Sequence, residues 1–205
     1  MKCDIGHFEI KAGGSCYNLT PSFENIMKLG NGEELIDHYS VLHGINDYPE
    51  NTKALYDYNM YTIGLSAEVI RACSDKDISN LLVDTVDRNG TFKLKKSTSQ
   101  TITPEQQVIV AAGLLRHGIS GVNKDKKKTK GEAAKTIDLW DFINTARVHL
   151  DITKDEALSL TMTEFNQMMD IKYPPEKNGA DNITDEEYDE SMANLARINK
   201  IRDVH

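Results

Sequence analysis

The chain has 205 residues, with 24 basic and 32 acidic side chains and a net charge of −8. This acidic balance argues against a general nucleic-acid-binding protein, which needs clustered cations that face phosphate groups. The sequence contains no apolar run near the roughly 20 residues of a membrane-spanning helix, and its three cysteines lack CxxC spacing. Because Asp4 and Glu9 lie where a signal peptide would be apolar, we expect a protein of the reducing cytoplasm.

The first predicted element is a β-hairpin over residues 3–19. Apolar side chains flank a Gly-Gly pair at 13–14, and two adjacent glycines can adopt the positive φ angles of a tight hairpin turn. The Thr-Pro-Ser sequence at 20–22 then predicts a short helix, because hydroxyl side chains cap helices and proline is tolerated in a first turn. The sequence therefore predicts a hairpin followed directly by a helix.

Two longer helices are predicted next, over residues 33–43 and 54–73. The first has apolar side chains on one face and a glycine after its last turn, and the second continues an apolar pattern that one glycine interrupts. Residues 77–87 contain an apolar cluster whose structure the sequence leaves open. A turn at 88–90 precedes a predicted strand over 91–95.

The clearest helix start lies at Thr103, where a hydroxyl cap, a proline, an acid and a glutamine follow in order. This order predicts a capping box with Gln106 and places a carboxylate near the positive end of the helix dipole. The helix is expected to end near His117. Its predicted buried face consists of Val108, Ile109, Ala111, Ala112 and Leu115.

The segment 123–136 is basic, with six lysines and two acidic residues. It cannot bury enough apolar surface to offset the entropy that ordering would cost, so we interpret it as a flexible linker between a domain over 1–122 and a domain over 137–205. A nucleic-acid patch is less favoured because no aromatic side chains are interleaved with the lysines. A third interpretation, that the segment docks onto an acidic partner, is left open by the sequence.

After the linker the chain is predicted to be helical. Apolar side chains recur at helical spacing over 138–150, and Thr-x-x-Glu sequences that begin at Thr153, Thr161 and Thr184 each predict a capped helix start. The last of these helices is expected over about 184–203. The fold class is therefore mainly α (α+β), with an N-terminal β-hairpin, then helices, then a small C-terminal helical domain.

We predict no catalytic, cofactor-binding or metal-binding site, and hence no enzyme. Cys3, His7 and Cys16 could meet across the hairpin, but a zinc site takes four ligands and the sequence indicates no fourth. A catalytic role for His117 would need a neighbouring nucleophile and an orienting acid, which nothing local supplies. A small metal-binding protein or enzyme that uses the two cysteines and His7 remains an alternative.

An apolar stripe lies on the predicted helix after Thr161. Its side chains are flexible thioethers and aromatic rings, a combination that serves binding of varied partners in some proteins. Packing in the core is the favoured interpretation, because such residues are most often buried. The stripe consists of Met162, Phe165, Met168, Met169 and Tyr173.

Three stretches resemble proteins of tailed bacteriophages. The runs LTPSFENIMKLGNGEELI (19–36) and AAGLLRHGISG (111–121) resemble an uncharacterised family that is encoded in phage tail modules. The run FINTARVHLDITKDEALSLTMTEF (142–165) is similar to the helical portion of phage tail assembly chaperones, in which a helix is followed by a short Leu-Thr turn and a Glu-Phe helix. Together with the acidic stretch that follows, the resemblance covers about half of the chain.

The resemblance implies a tail assembly chaperone that acts in the cytoplasm of an infected bacterium. Such chaperones coat the long tape measure protein and recruit the major tail protein, and they bring no catalytic residues or cofactors. No nucleic-acid or membrane partner is implied, and homo-oligomers are possible. The main alternative is a structural minor tail or connector protein that is retained in the virion tail.

Five residues are our hypothesis for the partner-binding surface. They combine large apolar area with positions on two helices of the chaperone-like region, where we expect them to be shielded until the client contacts them. These residues are Trp140, Phe142, Phe165, Met168 and Met169.

Overall fold

A computed structural model describes most of the chain up to residue 174. The described residues are 2–4, 6–45, 48–87, 92–94, 102–122 and 134–174. The basic residues 123–133, the turn at 88–90 and the helix predicted over 184–203 lie outside them. The mainly helical α+β class with an N-terminal hairpin is confirmed. Among the described helices, none is both long and apolar enough to cross a membrane.

The N-terminal residues form a three-stranded antiparallel sheet in the order β1-β2-β3. The strands are β1 (Lys2–Asp4), β2 (His7–Ala12) and β3 (Ser15–Leu19). Gly13 and Gly14 have φ angles of 56° and 77°, so the predicted glycine turn is confirmed. The sequence did not predict β1, which adds a strand to the hairpin and pairs Cys3 with Phe8.

Three helices follow the sheet, and each begins at a side-chain cap. The helices are α1 (Phe23–Met27), α2 (Gly32–Leu42) and α3 (Thr52–Cys73). Ser22 caps α1, so Pro21 precedes the helix and does not lie in its first turn as predicted, while asparagines cap the other two helices. Asn31 forms a capping box with Glu34, in which each side chain accepts a backbone N–H of the other residue. A two-stranded sheet, β4 (Thr85–Asp87) with β5 (Phe92–Leu94), lies beyond α3.

Helix α4 (Pro104–Leu115) starts at the predicted capping box of Thr103 and Gln106, which is confirmed. The helix continues without a break into a π-helix (Arg116–Ser120), which the sequence did not predict. The predicted buried face is partly wrong, because Ile109 is 66% exposed. The residues of α4 that are buried are Gln107, Val110, Ala111, Leu114 and Leu115.

The last described helices are α5 (Leu139–Leu150), α6 (Lys154–Ser159) and α7 (Met162–Lys172). The capping boxes predicted at Thr153 and Thr161 are both confirmed. The hydroxyl of Thr153 accepts the N–H of Glu156, and the hydroxyl of Thr161 accepts the N–H of Glu164. In each case the glutamate side chain accepts the threonine N–H in return.

Helices α5 to α7 pack against the N-terminal elements. The N–H of Phe23 donates to the carbonyl of Leu160 at 2.8 Å, and Ser22 and Thr161 form an isolated β-bridge. The described residues up to Lys172 therefore form one compact unit with a shared core. This arrangement differs from the predicted division, because α5 to α7 do not stand apart from the first 122 residues as a separate domain.

Candidate protein-interaction surface

Residues 134–138 cross the start of α2 at very close range. The N–H of Ile137 donates to the carbonyl of Gly32 at 3.3 Å. A side chain at Gly32 would overlap the carbonyl oxygen of Ile137, so only glycine permits this approach. The crossing segment separates two cavities that open on either side of it.

The larger cavity lies between α2, the π-helix and the start of α5, and we name it the α2 groove. Its volume is about 580 Å³. Most of its lining is apolar, and this apolar lining comprises Ile36, Tyr39, Ile45, Ile119, Ala134, Ile137 and Phe142. Among the described lining residues, Asp138 and Asp141 carry the charge. The groove therefore has an apolar floor with acidic side chains at one end.

The mouth of the α2 groove carries an apolar side chain in contact with water. Ile45 lies just beyond α2 and is 62% exposed. On the other side of the crossing segment, Trp140 is 43% exposed and lines the smaller cavity of about 350 Å³. The ammonium of Lys154 lies 5.2 Å from the centre of the Trp140 ring, within the range of a cation–π contact. Water-exposed apolar area of this kind is typical of surfaces that bind other proteins.

The structure divides the five hypothesised partner-binding residues between the core and the surface. Phe142 and Phe165 pack against Phe23, with ring centroids 5.6–6.5 Å apart, and Phe165 is only 5% exposed. Met169 is partly buried against the same core. Trp140 is exposed, and Met168, expected to face inward, lies at the surface with 36% exposure. Phe142 lines the α2 groove and Trp140 lines the smaller cavity, whereas Phe165 is part of the hydrophobic core.

A third cavity, which the sequence did not predict, lies between the end of α2, α3 and α4. Its volume is about 580 Å³, and Tyr48, Tyr58, Ile63 and Val108 line it together with the exposed Ile109. The rings of Tyr48 and Tyr58 meet edge to face with their centroids 5.6 Å apart. This cavity has a larger polar share than the α2 groove, so the α2 groove is the stronger candidate for an apolar ligand.

Comparison with known protein families finds a match over most of the chain. Residues 19–190 match a family described as a family of unknown function, DUF6246. The chain belongs to the DUF6246 family. No curated protein and no solved structure matches it. The matched region of this DUF6246 protein begins at the last residue of β3 and includes every described residue that lines the α2 groove.

Two of the candidate ligands of the alternative function, His7 and Cys16, lie apart in the DUF6246 protein. Cys16 pairs with Lys11 in the sheet, so it lies at the opposite end of β2 from His7. The ring of His7 instead bonds the hydroxyl of Thr20 at 3.1 Å and the carboxylate of Glu164 at 3.0 Å. Within the described ranges, no group of three potential ligands is close enough to hold a metal ion. His7 thus links β2 to α7.

His117 lies near His7, in the π-helix. One ring nitrogen shares a hydrogen bond of 2.9 Å with the hydroxyl of Thr163, and the ring meets Phe8 edge to face. Gly6, with a φ of +87°, brings the backbone against the same ring. Burial, followed by the charges of Arg116 and His7, lowers the pKa of His117 below its usual value of 6.5. His117 therefore favours the neutral form in the folded state.

This pKa shift predicts a loss of stability in mild acid. Below about pH 6.5 the unfolded chain binds a proton at His117 more readily than the folded chain does, so the free energy of unfolding decreases as the pH falls. We expect the urea midpoint of the wild type to fall more than that of His117→Gln between about pH 7.5 and 5.5. Hydrogen bonds from Thr161 and His7 outweigh burial and lower the pKa of Glu164 below 4.5, so Glu164 stays ionised over this range. Equal pH dependence of the two proteins would contradict the prediction.

Proposed function

We propose that this DUF6246 protein works by binding other proteins, as a tail assembly chaperone in the cytoplasm of an infected bacterium. The observation that carries the proposal is the α2 groove, an apolar cavity that is open at the surface beside exposed Ile45 and Trp140. Contact with water makes such a surface unfavourable, and a partner that covers it gains the free energy of apolar burial. The α2 groove is therefore the site at which we place the client.

The resemblance of residues 142–165 to tail assembly chaperones supports the choice of client. These residues include Phe142, which lines the α2 groove. In the proposed role, the groove covers apolar segments of the tape measure protein before the tail tube surrounds it. The major tail protein is then the second partner, recruited while the client is held soluble. The five hypothesised residues contribute unequally, with Trp140 and Phe142 at the cavities and Phe165 in the core.

Co-expression with the tape measure protein from the same phage tests this proposal. We expect the chain to raise the soluble fraction of the tape measure protein several-fold and to co-purify with it. Ile45→Ser should reduce both effects, because it removes an exposed apolar side chain at the groove mouth. Ile171→Ser is the matched control, since Ile171 is also exposed but does not line the groove. An unchanged soluble fraction with the wild-type chain would refute the proposal.

Mass spectrometry of purified phage particles separates a chaperone from a structural tail protein. A chaperone leaves its client when the tube polymerises, so we expect no peptides of this chain in mature virions. Stoichiometric recovery from the virion tail would instead support the alternative of a minor tail or connector protein.

A further inference from the structure

The charge at the α2 groove restricts the ligand that it can take. Asp138 and Asp141 lie at the start of α5, and both side chains are exposed to solvent. Asp138 is held in place because its carboxylate accepts the N–H of Trp140 at 2.9 Å as the N-cap of α5. No described basic side chain lines the groove, and the whole chain carries a net charge of −8. A ligand with positive charge next to its apolar surface is therefore complementary.

The backbone of the groove walls restricts the shape of the ligand. Two walls are helical, α2 and the π-helix, so the N–H groups of these walls donate within each helix. In the crossing segment, Ile137 already donates its N–H to Gly32. Among the described residues no β-strand lines the groove, so an extended peptide would find no strand edge there to satisfy its own backbone groups. A helical ligand brings its backbone hydrogen bonds with it and presents only side chains to the groove.

We infer that the α2 groove binds an amphipathic α-helix of the client that carries lysine or arginine beside its apolar face. This inference rests on the proposed function and specifies the chemistry of the bound segment. Apolar side chains one helical turn apart enter the groove over Ile36 and Ile119, while the basic side chains pair with Asp138 and Asp141. The charged pairs set the direction in which the helix lies and accelerate its association.

Two synthetic helical peptides of about 18 residues test the inference with the full-length chain. They share the same leucine face, but one carries lysines and the other glutamates beside it. In fluorescence anisotropy at low salt, we expect the lysine peptide to bind about tenfold more tightly. This preference should shrink as the salt concentration rises, because the acidic pair is exposed and its charge is screened.

Three variants locate the binding site. The double variant Asp138→Asn and Asp141→Asn should abolish the preference for lysine and keep the fold, because asparagine also caps helices. A double variant at exposed acids outside the groove lining, Glu68→Gln and Asp155→Asn, is the matched control and should keep the preference. Ser120→Trp fills the groove from an exposed position and should block both peptides. Thermal unfolding checks that every variant is folded.

The outcomes separate this inference from the proposed function. Equal binding of the two peptides, no binding of either, or full affinity in the folded Ser120→Trp variant would each overturn the inference. If the tape measure protein is still held soluble in that case, the proposed function stands and the client binds elsewhere. If the lysine peptide binds as expected but the tape measure protein stays insoluble, the groove chemistry is right and the proposed client is wrong.

Discussion

Replacement of Phe165 by alanine is expected to lower the free energy of unfolding by about 3–5 kcal/mol. The Phe165 ring is almost fully buried and packs against Phe23 and Phe142, with centroid distances of 6.2 and 5.6 Å. Truncation removes the contacts of a whole ring and leaves a cavity among residues that α1, α5 and α7 hold in place. Urea denaturation of the purified protein, followed by circular dichroism, measures the change.

Met168→Ala is the matched control on the same helix. Because Met168 lies at the surface, we expect its truncation to cost less than about 1 kcal/mol. A Phe165→Ala protein that unfolds at the wild-type midpoint yet no longer holds the client would contradict this prediction. That result would instead support the hypothesis that Phe165 belongs to the partner-binding surface.

Replacement of Gln107 by leucine is expected to destabilise the protein by about 1–3 kcal/mol, although leucine is apolar and similar in size. Gln107 is fully buried in α4, and its carboxamide bonds both the N–H and the carbonyl of Val83. Its oxygen accepts the N–H of Val83 at 2.8 Å, and its nitrogen donates to the carbonyl of Val83 and to the hydroxyl of Ser66 at 2.9 Å. Leucine would leave the Val83 N–H buried without a partner.

The same substitution at an exposed glutamine provides the control for this experiment. Gln167→Leu on α7 changes a side chain at the surface, so we expect a change within about 0.5 kcal/mol. Urea midpoints of the two variants should therefore differ clearly. Equal midpoints would mean that water or another group replaces the carboxamide of Gln107 without cost.

Local signals in the sequence predicted the helix starts well, because a cap depends on residues only three positions apart. The boxes at Thr103, Thr153 and Thr161 are all present, and so is the glycine turn of the hairpin. Strand β1 was not predicted, because its formation depends on pairing with β2 and not on the character of its own three residues.

The buried face of α4 could not be chosen correctly from its periodicity. Apolar residues lie almost all round this helix, so several faces fit the pattern equally well. The buried face includes a polar residue, Gln107, and leaves Ile109 in water. Only the packing of α3 and the residues around Val83 against α4 selects between these faces.

The candidate site could not be predicted from the sequence, because it is formed by segments that are far apart along the chain. The α2 groove combines residues near 36–45, 119–120 and 134–142, and no local pattern relates these stretches. The sequence did single out Trp140 and Phe142, whose size and apolar character made them candidates. It could not show that Phe165 pairs with Phe23 from the far end of the chain.

The contact of Phe23 with Phe142 and Phe165 affects when the protein can fold during its synthesis. On the ribosome, Phe23 emerges long before the two rings that cover it, so the nascent N-terminal part cannot complete its core alone. Folding can be completed only after α7 has left the exit tunnel. Until then, the nascent chain exposes the apolar surface around Phe23. A product truncated before α7 should consequently aggregate, even though it contains most of the helices.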